Sequence, residues 1–190
     1  MMQVDILVLR HGQTEWNALG KMQGRKDSPL TAKGRDHARQ QGKLLREFGI
    51  KGRDIYVSPQ GRAMATAQIA LEGTALVATP DDRLMEIDVG EWTGCQLADL
   101  KQKYKHLFPE GDPLFWYDHA PGGEGYRGLE ARCASFLADL KGPSVVIAHG
   151  VTSLMLRALA LELPLDRIGD LPGGQGVIHR VHNGVHSTLK

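Results

Sequence analysis

The chain has 190 residues, of which 42% are hydrophobic and 24% charged, and its formal net charge is +1. A chain of this length can bury roughly 70% of the surface it exposes when unfolded, so it needs no covalent staple. The near-neutral charge excludes a global field that would draw it to nucleic acid or to a membrane surface. No apolar run approaches membrane-spanning length, and the N-terminus Met1-Met2-Gln3-Val4-Asp5 lacks the basic and apolar regions of a signal peptide. Cys95 and Cys133 stand in no metal-ligand spacing, so a cytoplasmic protein with reduced thiols is expected.

Strand-like and helical patterns alternate along the chain, without internal repeats, which predicts an α/β fold. Val4 to Leu9 is a short β-rich run and reads as the first strand. Thr31 is a helix N-cap, and its helix should run to about Phe48, where Gly49 stops it. Asp54 to Val57 is a second strand. Ser58-Pro59-Gln60-Gly61 leads into an alanine-rich helix from Arg62 to about Leu71, and Leu76-Val77-Ala78 reads as a third short strand. The stretch from about Asp81 to Gly125 is irregular, with one helix expected near Leu97–Tyr104. Helical periodicity returns from Gly128 to Leu140. Ser144 to Ala148 has the apolar pattern of a buried strand, followed at once by a helix from Val151 to Leu163. The runs 177–182 and 185–189 flank Asn183-Gly184, which suits the positive φ angles of a hairpin turn. Strand–helix–strand units demand parallel pairing and right-handed crossovers. The expected architecture is a three-layer sandwich in one domain over residues 1–190. It has a mostly parallel central sheet, helices on both faces and a C-terminal hairpin.

In such a sheet, ligands bind beyond the carboxyl ends of the strands. The first strand ends in Leu9-Arg10-His11-Gly12, the second in Val57-Ser58-Pro59 with Arg62 a helical turn on, and the buried strand in Ala148-His149-Gly150. Any one of these is more often an ordinary loop histidine or a solvated arginine. Two His-Gly pairs and two arginines reaching one sheet edge point instead to a site. Arginine forks match phosphate oxygens. The helix after Gly150 should add free N–H groups and a partial positive charge. The expected ligand is a phosphate or another tetrahedral anion. Neighbouring guanidinium groups lower a histidine's pKa, which leaves one imidazole neutral and able to form a covalent intermediate. The leaving alkoxide then needs a proton, and spacing leaves Glu86, Asp88 and Glu91 as open candidates.

Arg10-His11-Gly12-Gln13-Thr14-Glu15-Trp16-Asn17 resembles the RHG-x-[ST]-x-x-N signature of the histidine phosphatase superfamily, the phosphoglycerate mutase-like fold. Gly24, Pro29-Leu30-Thr31 and Gly34 are similar to its continuation. Ser58-Pro59 with Arg62-Ala63 and Thr66-Ala67, the block from Leu84 to Gly94, Pro121-Gly122-Gly123-Glu124, and Ala148-His149-Gly150 follow in the family's order. The resemblance implies that His11 is the phosphorylated nucleophile and Glu86 the general acid. Arg10, Arg62, His149 and Gly150 would complete the phosphate pocket, and Asn17 would reach it from the loop after the first strand. It implies no metal and no cofactor, since cationic side chains already neutralise the phosphoryl charge.

The family holds both phosphatases and mutases. Mutases are similar in the first step but carry a longer insertion before the second histidine, with a basic pair. Here that interval is short and has no Arg-Arg pair, Val151 stands where mutases carry Asn, and Gln23 where they carry Ser or Thr. The expectation is therefore a phosphatase for a small phosphomonoester, with a mutase-type phosphotransferase or a non-catalytic phosphate-binding module as alternatives. A capping segment over about 95–126 should wall the pocket, with Leu107, Phe108, Leu114, Phe115, Trp116 and Tyr117 making it partly apolar. Gln23, Gly24, Trp116 and Tyr117 are candidate substrate contacts. Glu124 is expected to cap the following helix. The terminal hairpin edge could pair with a second copy to form a homodimer.

Overall fold

Six strands form one sheet in a computed structural model that describes residues 4–107 and 115–190. In chain order they are β1 (Asp5–Arg10), β2 (Asp54–Val57), β3 (Thr79–Pro80), β4 (Ser144–Ala148), β5 (Ile178–His182) and β6 (Val185–Leu189). Their spatial order is β3-β2-β4-β1-β5-β6. The first four of these pair in parallel, whereas β5 runs antiparallel to β1 and β6 antiparallel to β5. Arg10 lies opposite Ala148, and Val57 opposite Ile147. The C-terminal ends of β1, β2 and β4 are therefore level.

Period-two alternation sends the central strands' side chains to both faces. Leu7, Leu9, Val145 and Ile147 pack with residues of two helices, α2 (Ala32–Phe48) and α3 (Gly61–Ala70). Ile6, Val8, Val146 and Ala148 pack instead with α5 (Gly125–Asp139) and α6 (Gly150–Ala160). Two shorter helices, α1 (Glu15–Ala18) and α4 (Leu97–Lys103), lie in the connections. The result is the three-layer α/β sandwich with a C-terminal hairpin. Asn183 and Gly184 take φ angles of 50° and 72° in its turn, as the sequence pattern requires.

Three boundaries differ from the sequence reading. The third strand is Thr79–Pro80, paired with Tyr56 and Val57, rather than Leu76–Ala78; Val77 is 83% exposed and has no ladder partner. Apolar composition marked the run, but register with β2 selects the residues just after it. Helix α5 starts at Gly125, three residues before Gly128. Helix α6 stops at Ala160, because Glu162 adopts a positive φ of 55° that ends the helical path.

Candidate active site

His11, Ser58 and His149 directly follow the ends of β1, β2 and β4, and backbone bonds fix two of them to the sheet. His11 N–H donates to the Ala148 carbonyl at 3.0 Å, and Ser58 N–H to the Ile147 carbonyl at 2.9 Å. Gly12 packs where a Cβ would overlap the carbonyl oxygen of Gly34 at the start of α2, so only glycine permits this turn. Gly12 N–H also donates to Oγ1 of Thr66 at 3.0 Å, which ties the loop to α3.

The protonation state of His11 follows from its partners. Nδ1 lies 2.7 Å from the Gly12 carbonyl, which can only accept, so Nδ1 carries the hydrogen. Nε2 lies 3.2 Å from Nε of Arg62, which can only donate, so Nε2 presents its lone pair. The ring is 2% exposed. Burial first, then the charges of Arg10 and Arg62, hold its pKa well below the ordinary value, although the bond to Gly12 opposes them. His11 is thus a neutral imidazole with Nε2 turned to a cationic pocket.

Arg62 is locked in place. It donates to the carbonyls of Lys26 at 2.6 Å and Gly24 at 2.9 Å, and to the Asp27 carboxylate at 2.8 Å. With the bond to His11, four of a guanidinium's five N–H groups are used. Asp27 also accepts from the N–H groups of Gly61 and Arg62, so it caps α3 from another loop. His149 is fully buried, its ring centroid 5.2 Å from that of His11, with Nε2 2.7 Å from Oγ of Ser58. Burial first, then the charges of Arg62 and Arg10, lowers its pKa well below the ordinary value too.

A cavity of about 90 Å³ is lined by Arg10, His11, Asn17, Gln23, Gly24, Arg62, Glu86 and Tyr117, among others. Asn17 has its Oδ1 engaged by Thr14 N–H and by Gln175, which leaves its amide nitrogen to donate to an anion. Gln23 lines the cavity, but both ends of its amide are taken, by Thr14 and Ser28. Gly24 contributes the carbonyl that holds Arg62. Arg10 Nε is buried and without a hydrogen-bond partner among the described residues. Gly150 lets Arg10 approach, since a Cβ there would sit 3.3 Å from the guanidinium carbon and 3.5 Å from Oε2 of Glu86.

Three expectations need correction. Two of the N–H groups at the start of α6 are not open to a phosphate: Val151 and Thr152 donate theirs to the Glu86 carboxylate, at 3.2 and 3.1 Å. A carboxylate from a neighbouring loop satisfies the helix terminus that sequence reading left free. Trp116 lines neither cavity that adjoins His11 or Glu86; it is 5% exposed, stacked on Tyr117 at 3.9 Å and packed against Trp92. Its neighbour Tyr117 does line both cavities, and burial with the nearby Glu86 charge pushes its hydroxyl pKa up. Phe108 and Leu114 lie outside the described residues. Glu124 makes no side-chain cap to α5. It pairs with Arg132 at 2.8 Å and accepts from Asp88 N–H at 2.9 Å, joining α5 to the loop that carries Glu86.

Glu86 has a further partner. Oγ1 of Thr152 lies 2.8 Å from the Met85 carbonyl and 3.0 Å from Oε1 of Glu86. The carbonyl can only accept, so a hydroxyl proton committed to it leaves Oγ1 able to accept a proton held by Glu86. Sequence reading missed Thr152, together with Asp27, Ser58, Thr66 and Gln175. Ser58 and Thr66 stood inside the quoted motif, and their hydroxyls were the available signal. Gln175 donates to the His11 carbonyl at 3.1 Å from a segment with no pattern to mark it. Among the described residues, no cluster of three or more His, Cys, Asp or Glu could hold a metal ion, and no helix is long and apolar enough to cross a membrane.

A family model described as "Histidine phosphatase superfamily (branch 1)" matches residues 6–184. The probable phosphoglycerate mutase GpmB of Salmonella paratyphi B is 33% identical over 169 residues, covering 85% of this chain and 76% of that protein. The solved structure of Bacillus stearothermophilus YhfR superposes with a TM-score of 0.81 at 30% identity, covering 97% of this chain and 94% of that one. A mycobacterial glucosyl-3-phosphoglycerate phosphatase, solved in complex with VO3, gives a TM-score of 0.77 at 30% identity over 93% and 92% of the two chains.

Proposed function

The chain belongs to the histidine phosphatase superfamily, branch 1, and from that premise we propose that it hydrolyses a small phosphomonoester through a phosphohistidine on His11. The observation that carries this reading is the state of the His11 ring: Nδ1 donates to Gly12, and Nε2 presents a lone pair beside Arg62. In the first step Nε2 attacks phosphorus, the bond from phosphorus to the alcohol oxygen breaks, and Glu86 passes its proton to that oxygen. In the second, water adds to phosphorus and gives a proton to the Glu86 carboxylate. The nitrogen–phosphorus bond breaks, releasing inorganic phosphate and restoring His11. Arg10, Arg62, His149 and Asn17 surround the oxygens on which charge builds up.

Acceptance of the phosphoryl group by water rather than by a second alcohol is supported by the short interval before His149 and its lack of an adjacent arginine pair. The relative named as a probable phosphoglycerate mutase favours the other acceptor, and one experiment separates the two. Inorganic phosphate is measured from a panel of phosphomonoesters with EDTA present, and 2- and 3-phosphoglycerate are followed for interconversion. Phosphate release that survives EDTA and is lost in His11→Ala supports the phosphatase. Interconversion outpacing release contradicts it.

A further inference from the structure

A second cavity, of about 170 Å³, adjoins the first and shares Arg10, Glu86 and Tyr117 with it. His11 and Arg62 line only the first. If the phosphoryl group occupies that one and the leaving oxygen meets Glu86, the alcohol part of the substrate extends into the second. Tyr117, Val151 and Leu154 give the second cavity apolar walls, and Arg157 and His179 lie at its lining as well.

Arg157 is the anomaly of this region. It is 1% exposed, yet it forms no ion pair with any carboxylate among the described residues. Its partners are the carbonyls of Ser153 at 3.1 Å and Pro172 at 2.9 Å, and Nε2 of His186 at 3.2 Å. Because arginine only donates, that imidazole nitrogen accepts and carries no proton. Nη2 is bonded to nothing among the described residues. Burial alone pushes the Arg157 pKa down to about 10. The other buried arginine of the site, Arg62, has Asp27 as its counter-charge. A buried guanidinium without one is costly, and a ligand anion would supply it.

We propose that Arg157 forms a second anion subsite, which selects phosphomonoesters whose alcohol part has an apolar body and a singly charged anionic group at its far end. The subsite deepens the phosphatase reading and rests on it. It lies on α6, on the leaving-group side of Glu86, and its charge is separate from the arginines that hold the phosphoryl group.

The test compares 3- and 4-carboxyphenyl phosphate with the matching carbamoylphenyl phosphates, which have nearly the same shape and no added charge. The carbamoyl group withdraws electrons more strongly, so intrinsic leaving-group ability works against the carboxylates. At least one carboxylate should be favoured about tenfold in kcat/KM, chiefly through KM, the scale of one charge-assisted hydrogen bond. Arg157→Gln should bring that ratio to one or below, and Arg157→Lys should retain part of it. Leu154→Asp, which adds a fixed carboxylate one helical turn from Arg157, should also abolish the preference, read as the ratio of the two kcat/KM values rather than as either rate alone. No preference in the wild-type protein, or a ratio unchanged in Arg157→Gln, overturns the subsite. An arginine that merely braced α6 would lower both rates together and leave their ratio intact. Phenyl phosphate turnover, measured alongside, tests the phosphatase reading separately. If it is absent, the same esters are compared as ligands by calorimetry, and the ratio of Kd values decides.

Discussion

Nε of Arg62 donates to Nε2 of His11 across 3.2 Å, so the nitrogen proposed as the nucleophile is oriented by a guanidinium that borders the same cavity. The same guanidinium is held at three other points, by Lys26, Asp27 and Gly24. A lysine has no planar fork with which to make these bonds together. Arg62→Lys should therefore lower kcat/KM by about 10²-fold or more. Asp27→Asn should fall in the same direction by less, since it loosens Arg62 without removing it. Steady-state kinetics on p-nitrophenyl phosphate, with circular dichroism to verify the fold, measures both.

Glu86 and Thr152 should reveal themselves through the leaving group. An alkoxide needs the proton that we propose Glu86 supplies, whereas p-nitrophenolate hardly does. Glu86→Gln should slow alkyl phosphates far more than p-nitrophenyl phosphate. Thr152→Val, which removes the hydroxyl 3.0 Å from Oε1, should show the same bias more weakly, and Thr152→Ser should restore it. Equal losses on both esters would count against the acid and against its partner.

Gly150 separates site from scaffold. A methyl group there meets the Arg10 guanidinium and Oε2 of Glu86, both at the cavity rather than in the core. Gly150→Ala should cost activity by about tenfold or more, on the scale of a displaced charge-bearing group, while leaving thermal stability nearly unchanged. A large fall in Tm with activity retained would contradict this placement.

The buried imidazoles set the response to acid. In His11 and His149 burial and nearby cationic charge lower the pKa well below 6.5, and in His179 burial above all lowers it to about 4. Each ring is neutral when folded and takes up a proton on unfolding at lower pH. Their contribution to stability is fully present above the unfolded value of about 6.5 and is lost as pH falls below it. Stability should fall between pH 6.5 and about 4, and His179→Gln should flatten that profile. The acid limb of kcat/KM should lie well below pH 6.5, because His11 stays neutral there. Thermal melts and pH–rate profiles read the two effects independently.

Much of this was legible in the sequence because local signals and sheet geometry agreed. The apolar runs of β1 and β4, the cap at Thr31 and the turn at Asn183-Gly184 each specify their own conformation. The rule that ligands gather at strand ends then brings His11, Arg62 and His149 together. What stayed hidden depends on long-range register. The commitment of Glu86 to the N–H groups of α6 links residues 65 and 66 positions apart. Asp27 caps a helix that begins 34 positions later. Trp116 and Tyr117 are chain neighbours of similar character, yet only the packing against Trp92 decides which of them enters the core. Arg157 had no motif at all; only the lack of a carboxylate partner among the described residues, which no sequence shows, gives it meaning.

The central claim is that Nε2 of His11 takes the phosphoryl group. The most direct test mixes the protein with p-nitrophenyl phosphate and quenches in alkali, where phosphohistidine survives and acyl phosphates do not. Intact-mass and peptide mass spectrometry then locate the label. One phosphoryl group on the peptide that contains His11, absent from His11→Ala and decaying as inorganic phosphate appears, is the predicted result. Phosphate release with the label on another residue, or undiminished release in His11→Ala, would contradict the account.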